Sequence, residues 1–416
     1  MDLQEQRGAL IRLGIVVVAG LIISAYFGAL ATVLVVLALL VVIVLHEAGH
    51  FVAAKRGGMK VSEFFVGFGP RLWAVRKGET TYGIKALPLG GYCRIIGMTN
   101  VEKVAPADEP RAYRNQPTWR RLTVACAGSF VHFVIAFVLL VVLFLGPGDI
   151  GNFVSNPPAN SPIGAVDGFV SGPSPAQEAG LKPGDRIVAV NGVHFAGWEQ
   201  LTDYLRARPD RKVALTIERA SRTFTVSVVL ANGAKVVPKG DKSPIFTKPT
   251  GLLGIEIDPS PVRFGPIGAV EHAGTAFGST AVSSVVGLGH VITDFAGYTH
   301  MIASQKAADS PTAERFVSPV GVVTLANKAS KIGLSEVLYL LILINIFVGI
   351  FNLIPLLPFD GGHVAIALYE KVRSVQLHRP YHADVNKLAP VLYAVLAVLA
   401  FYAISSLFLD LRDLFT

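Results

Sequence analysis

Apolar positions along this chain gather into a few long unbroken runs, not into the short periodic stripes of a water-soluble protein. From about Ile11 to Leu45 only Arg12 interrupts the run. As one helix it would extend about 50 Å at 1.5 Å per residue, against a hydrocarbon core of roughly 30 Å. Tyr26-Phe27-Gly28 offers a turn, with aromatic rings suited to an interface and a glycine to bend on. The run therefore predicts an extra N-terminal transmembrane helix over 1–28 and a second over 29–57. Further spans are expected over 122–146, 333–364 and 388–416.

The polar stretches between them have their own texture. Residues 58–121 read as a membrane-associated β-like segment and a basic loop. Short strands are expected at Phe64–Phe68, Leu72–Val75 and Thr80–Ala86, punctuated by Gly and Pro up to Pro88-Leu89-Gly90-Gly91-Tyr92. After a linker at 147–159, residues 160–232 alternate as a small α+β domain. Its strands are expected at Arg186–Asn191, Val213–Glu218 and Thr223–Leu230, with a helix at Trp198–Leu205. Residues 233–332 read as a linker followed by interfacial amphipathic segments, because polar residues recur too often for spans. Residues 365–387 read as a loop.

Composition agrees with the pattern: 52% of the 416 residues are hydrophobic and 16% charged, where soluble domains carry about 25% charged residues. Two cysteines, Cys93 and Cys126, exclude a disulfide framework. Between Lys55 and Arg121 stand thirteen Lys or Arg against five Asp or Glu. That bias predicts a cytoplasmic loop in a multi-pass inner-membrane protein, with residues 147–332 extracytoplasmic. It also explains the net charge of +8 without nucleic acid. The expected fold is thus a polytopic α-helical membrane protein with four core spans and a fifth at the N-terminus. It carries a membrane-associated β-hairpin-like segment and an extracytoplasmic α+β domain.

Candidate chemistry lies at the end of the first block, His46-Glu47-Ala48-Gly49-His50. Histidines at i and i+4 share a helical face and can grip one metal ion, with the intervening Glu within reach of a bound water. Ionisable residues beside a hydrocarbon span are costly and point to function. A catalytic zinc normally has three protein ligands, and the third candidate is Asp360, in Asn352-Leu-Ile-Pro355-Leu-Leu-Pro358-Phe-Asp360-Gly361-Gly362. An Asp before Gly-Gly also initiates turns. Favouring the ligand, one span separates the two helices, so both motifs are expected at the C-terminal ends of parallel spans. Asn352 could hold an extended peptide backbone, or bond a neighbouring helix.

These pieces, with Val66-Gly67-Phe68-Gly69-Pro70, resemble the site-2 protease family of intramembrane zinc metalloproteases, in bacterial members with one PDZ domain. The resemblance implies Zn2+ on His46, His50 and Asp360, with Glu47 as general base. It implies cleavage within transmembrane segments of single-span proteins such as anti-sigma factors, in regulated intramembrane proteolysis. A β-like segment carrying Gly67, Gly69, Gly90 and Gly91, together with Asn352, would present the unwound substrate. His132 stands where the family usually has Asn. It reads as a hydrogen-bonded bundle histidine, a substrate contact or an extra metal contact. The segment from Ser174 to Gly192 resembles a PDZ domain, which would bind a peptide or C-terminus or exclude bulky substrates by size. The competing function is a membrane-anchored PDZ scaffold or chaperone with a structural metal, which would need a fourth ligand such as His132.

Overall fold

The computed structural model describes scattered positions before Leu30, then residues 30–415 except 99–101, 150, 152, 154–158, 238–243, 245, 247, 258–260 and 294–315. The separate span expected over 1–28 lies for the most part outside the described residues. The chain divides into two compact units, one of residues 1–142 with 270–416 and one of residues 143–269.

In the first unit, four helices among the described residues are long and apolar enough to cross a membrane: Thr32–Arg56, Thr118–Leu145, Leu334–Asn352 and Val385–Arg412. In hydrocarbon a helix satisfies its backbone groups internally, which is why such runs fold this way. Helix α1 (Leu30–Arg56) ends with Lys55 and Arg56 in its last turn, where cations favour the negative end of the helix dipole. Gly57 and Gly58 then terminate it, with the Gly57 N–H on the Ala53 carbonyl.

Two strands follow, β1 (Val61–Lys77) and β2 (Thr80–Ile95). The short strands expected from the sequence are thus joined into two long ones, because the glycines bend the strands without ending them. Gly67 and Gly69 have φ of 87° and 81°. The register doubles back at the bend: Phe64 lies opposite both Cys93 and Tyr82, and Phe65 opposite both Tyr92 and Gly83. The first half of β1 therefore sits between the two halves of β2. At the tip of the hairpin, Arg111 and then Lys55 hold the Glu79 carboxyl low, at about 2.

Helix α2 (Thr118–Leu145) begins after Pro117 and ends before Gly146-Pro147. Beyond it, the α+β region is larger than the 160–232 expected. Strand β3 (Ile163–Val166) finds its partner in a late strand, Ile255–Ile257, so the linkers on both sides belong in part to this unit. The helical turn α3 (Pro175–Glu178) has a capping box between Ser174 and Gln177. Strands β4 (Arg186–Val190), β5 (Lys212–Arg219) and β6 (Arg222–Val229) form an antiparallel sheet in that order. Helix α4 (Trp198–Arg206) buries Leu201 and Leu205 in the same core as Ile187, Leu215 and Ile217. The short strands β7 (Ala231–Asn232) and β8 (Gly251–Leu252) pair with each other, and β9 (Ile255–Ile257) closes on β3. At the foot of the unit, Asp149 and Val262 exchange both backbone hydrogen bonds, at 3.0 and 2.7 Å.

Helices α5 (Pro266–Thr293) and α6 (Pro319–Ile332) occupy the stretch expected to be interfacial, and neither is among the four candidate spans. Val35 of α1, Ala326 of α6 and Leu341 of α7 (Leu334–Asn352) share one core. The structure corrects the single helix expected over 333–364 and the loop over 365–387. The helix stops at Asn352, and a new helix, α8 (Asp360–Leu377), starts at Asp360. Pro355 and Pro358 explain the break, since each lacks an amide donor and collides with the preceding turn. Helix α9 (Ala389–Phe415) completes the unit.

Candidate metal centre

His46 and His50 lie one turn apart on α1, and Asp360 is the first residue of α8, not the end of a span as its sequence context suggests. The helix start suits a carboxylate, because the first turn carries the positive end of the dipole. Gly361 and Gly362 make the placement sterically feasible. A Cβ at Gly361 would fall 2.3 Å from the Leu353 carbonyl oxygen, and one at Gly362 2.7 Å from the Leu357 nitrogen. The glycine pair thus lets the start of α8 lie directly on the broken backbone before it.

The three side chains converge. His46 Nε2 and His50 Nε2 are 3.2 Å apart, and Asp360 Oδ2 lies 3.4 Å from the first and 3.2 Å from the second. His50 Nδ1 donates to the Val124 carbonyl at 2.7 Å, which leaves its Nε2 as a lone pair. Asp360 Oδ2 is buried and without a hydrogen-bond donor. Electron-rich atoms so close together need a cation between them. Four ligands at roughly 2.0–2.1 Å around tetrahedral zinc stand about 3.3–3.4 Å from each other. The triangle has that size, so the residues fit zinc, and its three corners leave the fourth position open. Among the described residues this trio is the cluster of His, Cys, Asp and Glu able to hold a metal.

Glu47 follows His46, and the edge of the sheet lies over it. A Cβ at Gly91 would stand 3.3 Å from Glu47 Cγ, and the Cys93 backbone amide is in hydrogen-bond reach of the carboxylate. Gly90 has φ of 155° and packs on Phe68, whereas Gly67 and Gly69 lie against Leu87. Asn352 is the last residue of α7 and is half-buried. His132 is buried and lies outside the trio. Its Nδ1 donates to Asn345 Oδ1 at 3.0 Å, its ring centroid is 5.1 Å from that of His46, and the Asn345 amide donates onward to the Leu341 carbonyl.

Two residues here escape sequence reasoning. Asn345 interrupts an otherwise apolar run, and a polar residue at membrane depth is a signal that could have found it. Gly128 touches the imidazoles themselves; the resemblance marks it only as the residue that opens the segment ending in His132, and nothing in the sequence says that it meets the histidines.

The chain matches the family model of peptidase family M50 over residues 14–399. It is 33% identical over 399 residues to the zinc metalloprotease Rip1 of Mycobacterium tuberculosis, covering 91% of this chain and 96% of that protein. Against Rip1 of Mycolicibacterium smegmatis the identity is 34% over 401 residues, with the same coverage. A putative zinc metalloprotease of Clostridium acetobutylicum is 26% identical over 366 residues, covering 88% of this chain and 94% of that protein. The PDZ domain of an SdrC-like protein of Listeria monocytogenes matches 23% of this chain and 86% of its own length, at 19% identity and a TM-score of 0.17. That likeness is too weak to assign the fold of residues 143–269. The family match and the Rip1 relatives span most of the sequence, and the chain belongs to peptidase family M50, the site-2 proteases, as a zinc metalloprotease.

Proposed function

We propose that this zinc metalloprotease hydrolyses peptide bonds inside the transmembrane segments of single-span membrane proteins, such as anti-sigma factors. In this reading His46, His50 and Asp360 hold the metal and Glu47 is the general base. The observation that carries it is the triangle of donor atoms, with edges of 3.2–3.4 Å, beside a carboxylate on an apolar helix. When bound, zinc supplies Lewis-acid polarisation of a carbonyl and acidification of a water.

The chain's own residues do the rest. Glu47 takes a proton on its carboxylate and returns it to the departing amine. The Val124 carbonyl holds the His50 ring in one tautomer and orientation. Gly91–Ile95 pair with β1 on one side only, so their other side can accept an extended strand. Such pairing would replace the internal hydrogen bonds a substrate helix loses on unwinding. The bias of basic residues in 55–121 supports a cytoplasmic position for this end of the helices in the inner membrane. By the same logic residues 143–269 lie on the other side. We read them as a PDZ-like domain that binds a peptide or C-terminus. The three-stranded sheet, the Trp198–Arg206 helix and the β3–β9 pair support that reading.

The deciding measurement is metal content together with cleavage of a single-span substrate by purified protein. Glu47→Gln is expected to retain about one zinc per chain and to lose cleavage by about a hundredfold or more, the usual size of a general-base contribution. Turnover at the parent rate by that variant would remove Glu47 from the reaction.

A further inference from the structure

An apolar groove runs between α1 and α2, and its volume is about 870 Å3. That lies within the roughly 300–1,000 Å3 typical of ligand sites. Its walls are membrane-span residues such as Leu45, Val52 and Phe130, the last 65% exposed. One end differs in character. Arg56, Trp119 and Arg120 line it there, and no acidic residue does. Arg120 Nη1 donates to the Gly57 carbonyl at 3.1 Å, which anchors its guanidinium at the end of α1 where Arg56 also lines the groove. Among the described residues no ion pair is formed by either arginine, whereas the nearby Lys55 and Arg111 both pair with Glu79. Arg120 Nε is buried without a hydrogen-bond partner. Trp119 is 64% exposed at this end, where an indole suits the headgroup level of a bilayer.

We propose that this groove binds one anionic phospholipid, with an acyl chain against Leu45, Val52 and Phe130 and the phosphate-bearing headgroup between Arg56 and Arg120. Two cations lining one groove with no carboxylate among its walls call for an anion, and the apolar floor calls for a chain attached to it. The carbonyls at the end of α1 stabilise the arginines in part, but they are already occupied by one donor of Arg120 and leave Arg56 without a counter-charge. Ala48 and Gly49 of the metal-bearing helix line the same groove, so the lipid would pack on the back of the site.

Trp119 is a built-in reporter, since the chain has three tryptophans. The full chain carrying Trp73→Phe and Trp198→Phe is reconstituted into phosphatidylcholine vesicles containing increasing shares of brominated phosphatidylglycerol or brominated phosphatidylcholine. Half-maximal quenching is expected at about a fivefold lower share of the anionic lipid, the effect of roughly one basic residue at an anionic surface. In the same background, Arg56→Gln with Arg120→Gln is expected to equalise the two lipids, with zinc content retained as the sign of an intact fold. Arg56→Lys with Arg120→Lys should keep the preference, and Arg56→Gln alone, an exposed position, should weaken it. Equal quenching by both lipids in the parent, or a preference that survives the paired Gln change, would overturn the proposal. Should the paired variant lose zinc, the single Arg56→Gln decides, and an unchanged preference there counts against the site.

Discussion

Gly128 shows how tightly single positions are held around the metal centre. A Cβ built on it falls 2.4 Å from both His46 Cε1 and His50 Nε2, far inside van der Waals contact. Gly128→Ala is therefore expected to push the imidazoles out of register and cut zinc content to a small fraction of one per chain. Gly274→Ala, at a helical position with open space around it, should leave zinc unchanged. Equal zinc in both variants would show that the rings can yield. The histidines and Glu47 were legible from the sequence, because helical spacing of i and i+4 is a local signal. The contacts of Gly128 and Asn345 were not. Each acts on a residue of a different helix, and the sequence does not say which helices touch.

At the scale of elements, a buried ion pair joins α2 to α8. Arg121 Nη1 and Glu370 Oε2 are 2.6 Å apart, with side chains 8% and 3% exposed. Glu370 Oε1 also accepts from the Ala383 amide at 2.7 Å, and the Arg121 guanidinium lies over the Tyr113 ring. Removing one partner leaves a charge buried without compensation, which costs about 3–5 kcal/mol, whereas removing both together costs much less. Thermal unfolding in detergent should therefore show Arg121→Met destabilised more than the pair Arg121→Met with Glu370→Met. The opposite order would mean that the pair contributes net stability. Because α8 begins with Asp360, the same bond also anchors the helix that carries the third residue of the trio. The sequence marked Asp360 through its Pro and Gly neighbours but misjudged the element that carries it. Prolines announce a break; whether the chain then leaves the membrane or starts another helix depends on what waits to pair with it, here Arg121.

For the molecule as a whole, the unit of residues 143–269 is an insertion with its two ends pinned together. Asp149 and Val262 exchange backbone hydrogen bonds, so a short linker can bridge them. His46, His50 and Asp360, the trio able to hold a metal, all come from the other unit. Replacing residues 150–261 with a few glycines is expected to leave one zinc per chain, measured on purified protein. Loss of zinc in that shortened chain would tie the insertion to the folding of the metal centre. The strands and helix inside this unit were largely legible, from alternation and turn residues. Its true extent was not, because β9 is only three residues long and gains its meaning from β3, most of a hundred positions earlier.

The start of α8 has one more consequence, for the birth of the protein. His46 and His50 are made within helix α1, and Asp360 arrives only after the inserted unit and the Leu334–Asn352 helix have been synthesised. A nascent chain held at the translocation machinery thus carries Glu47 and two histidines but no complete pocket. On the proposed ligand set, the metal centre is therefore completed late in synthesis, once most of the chain has been made.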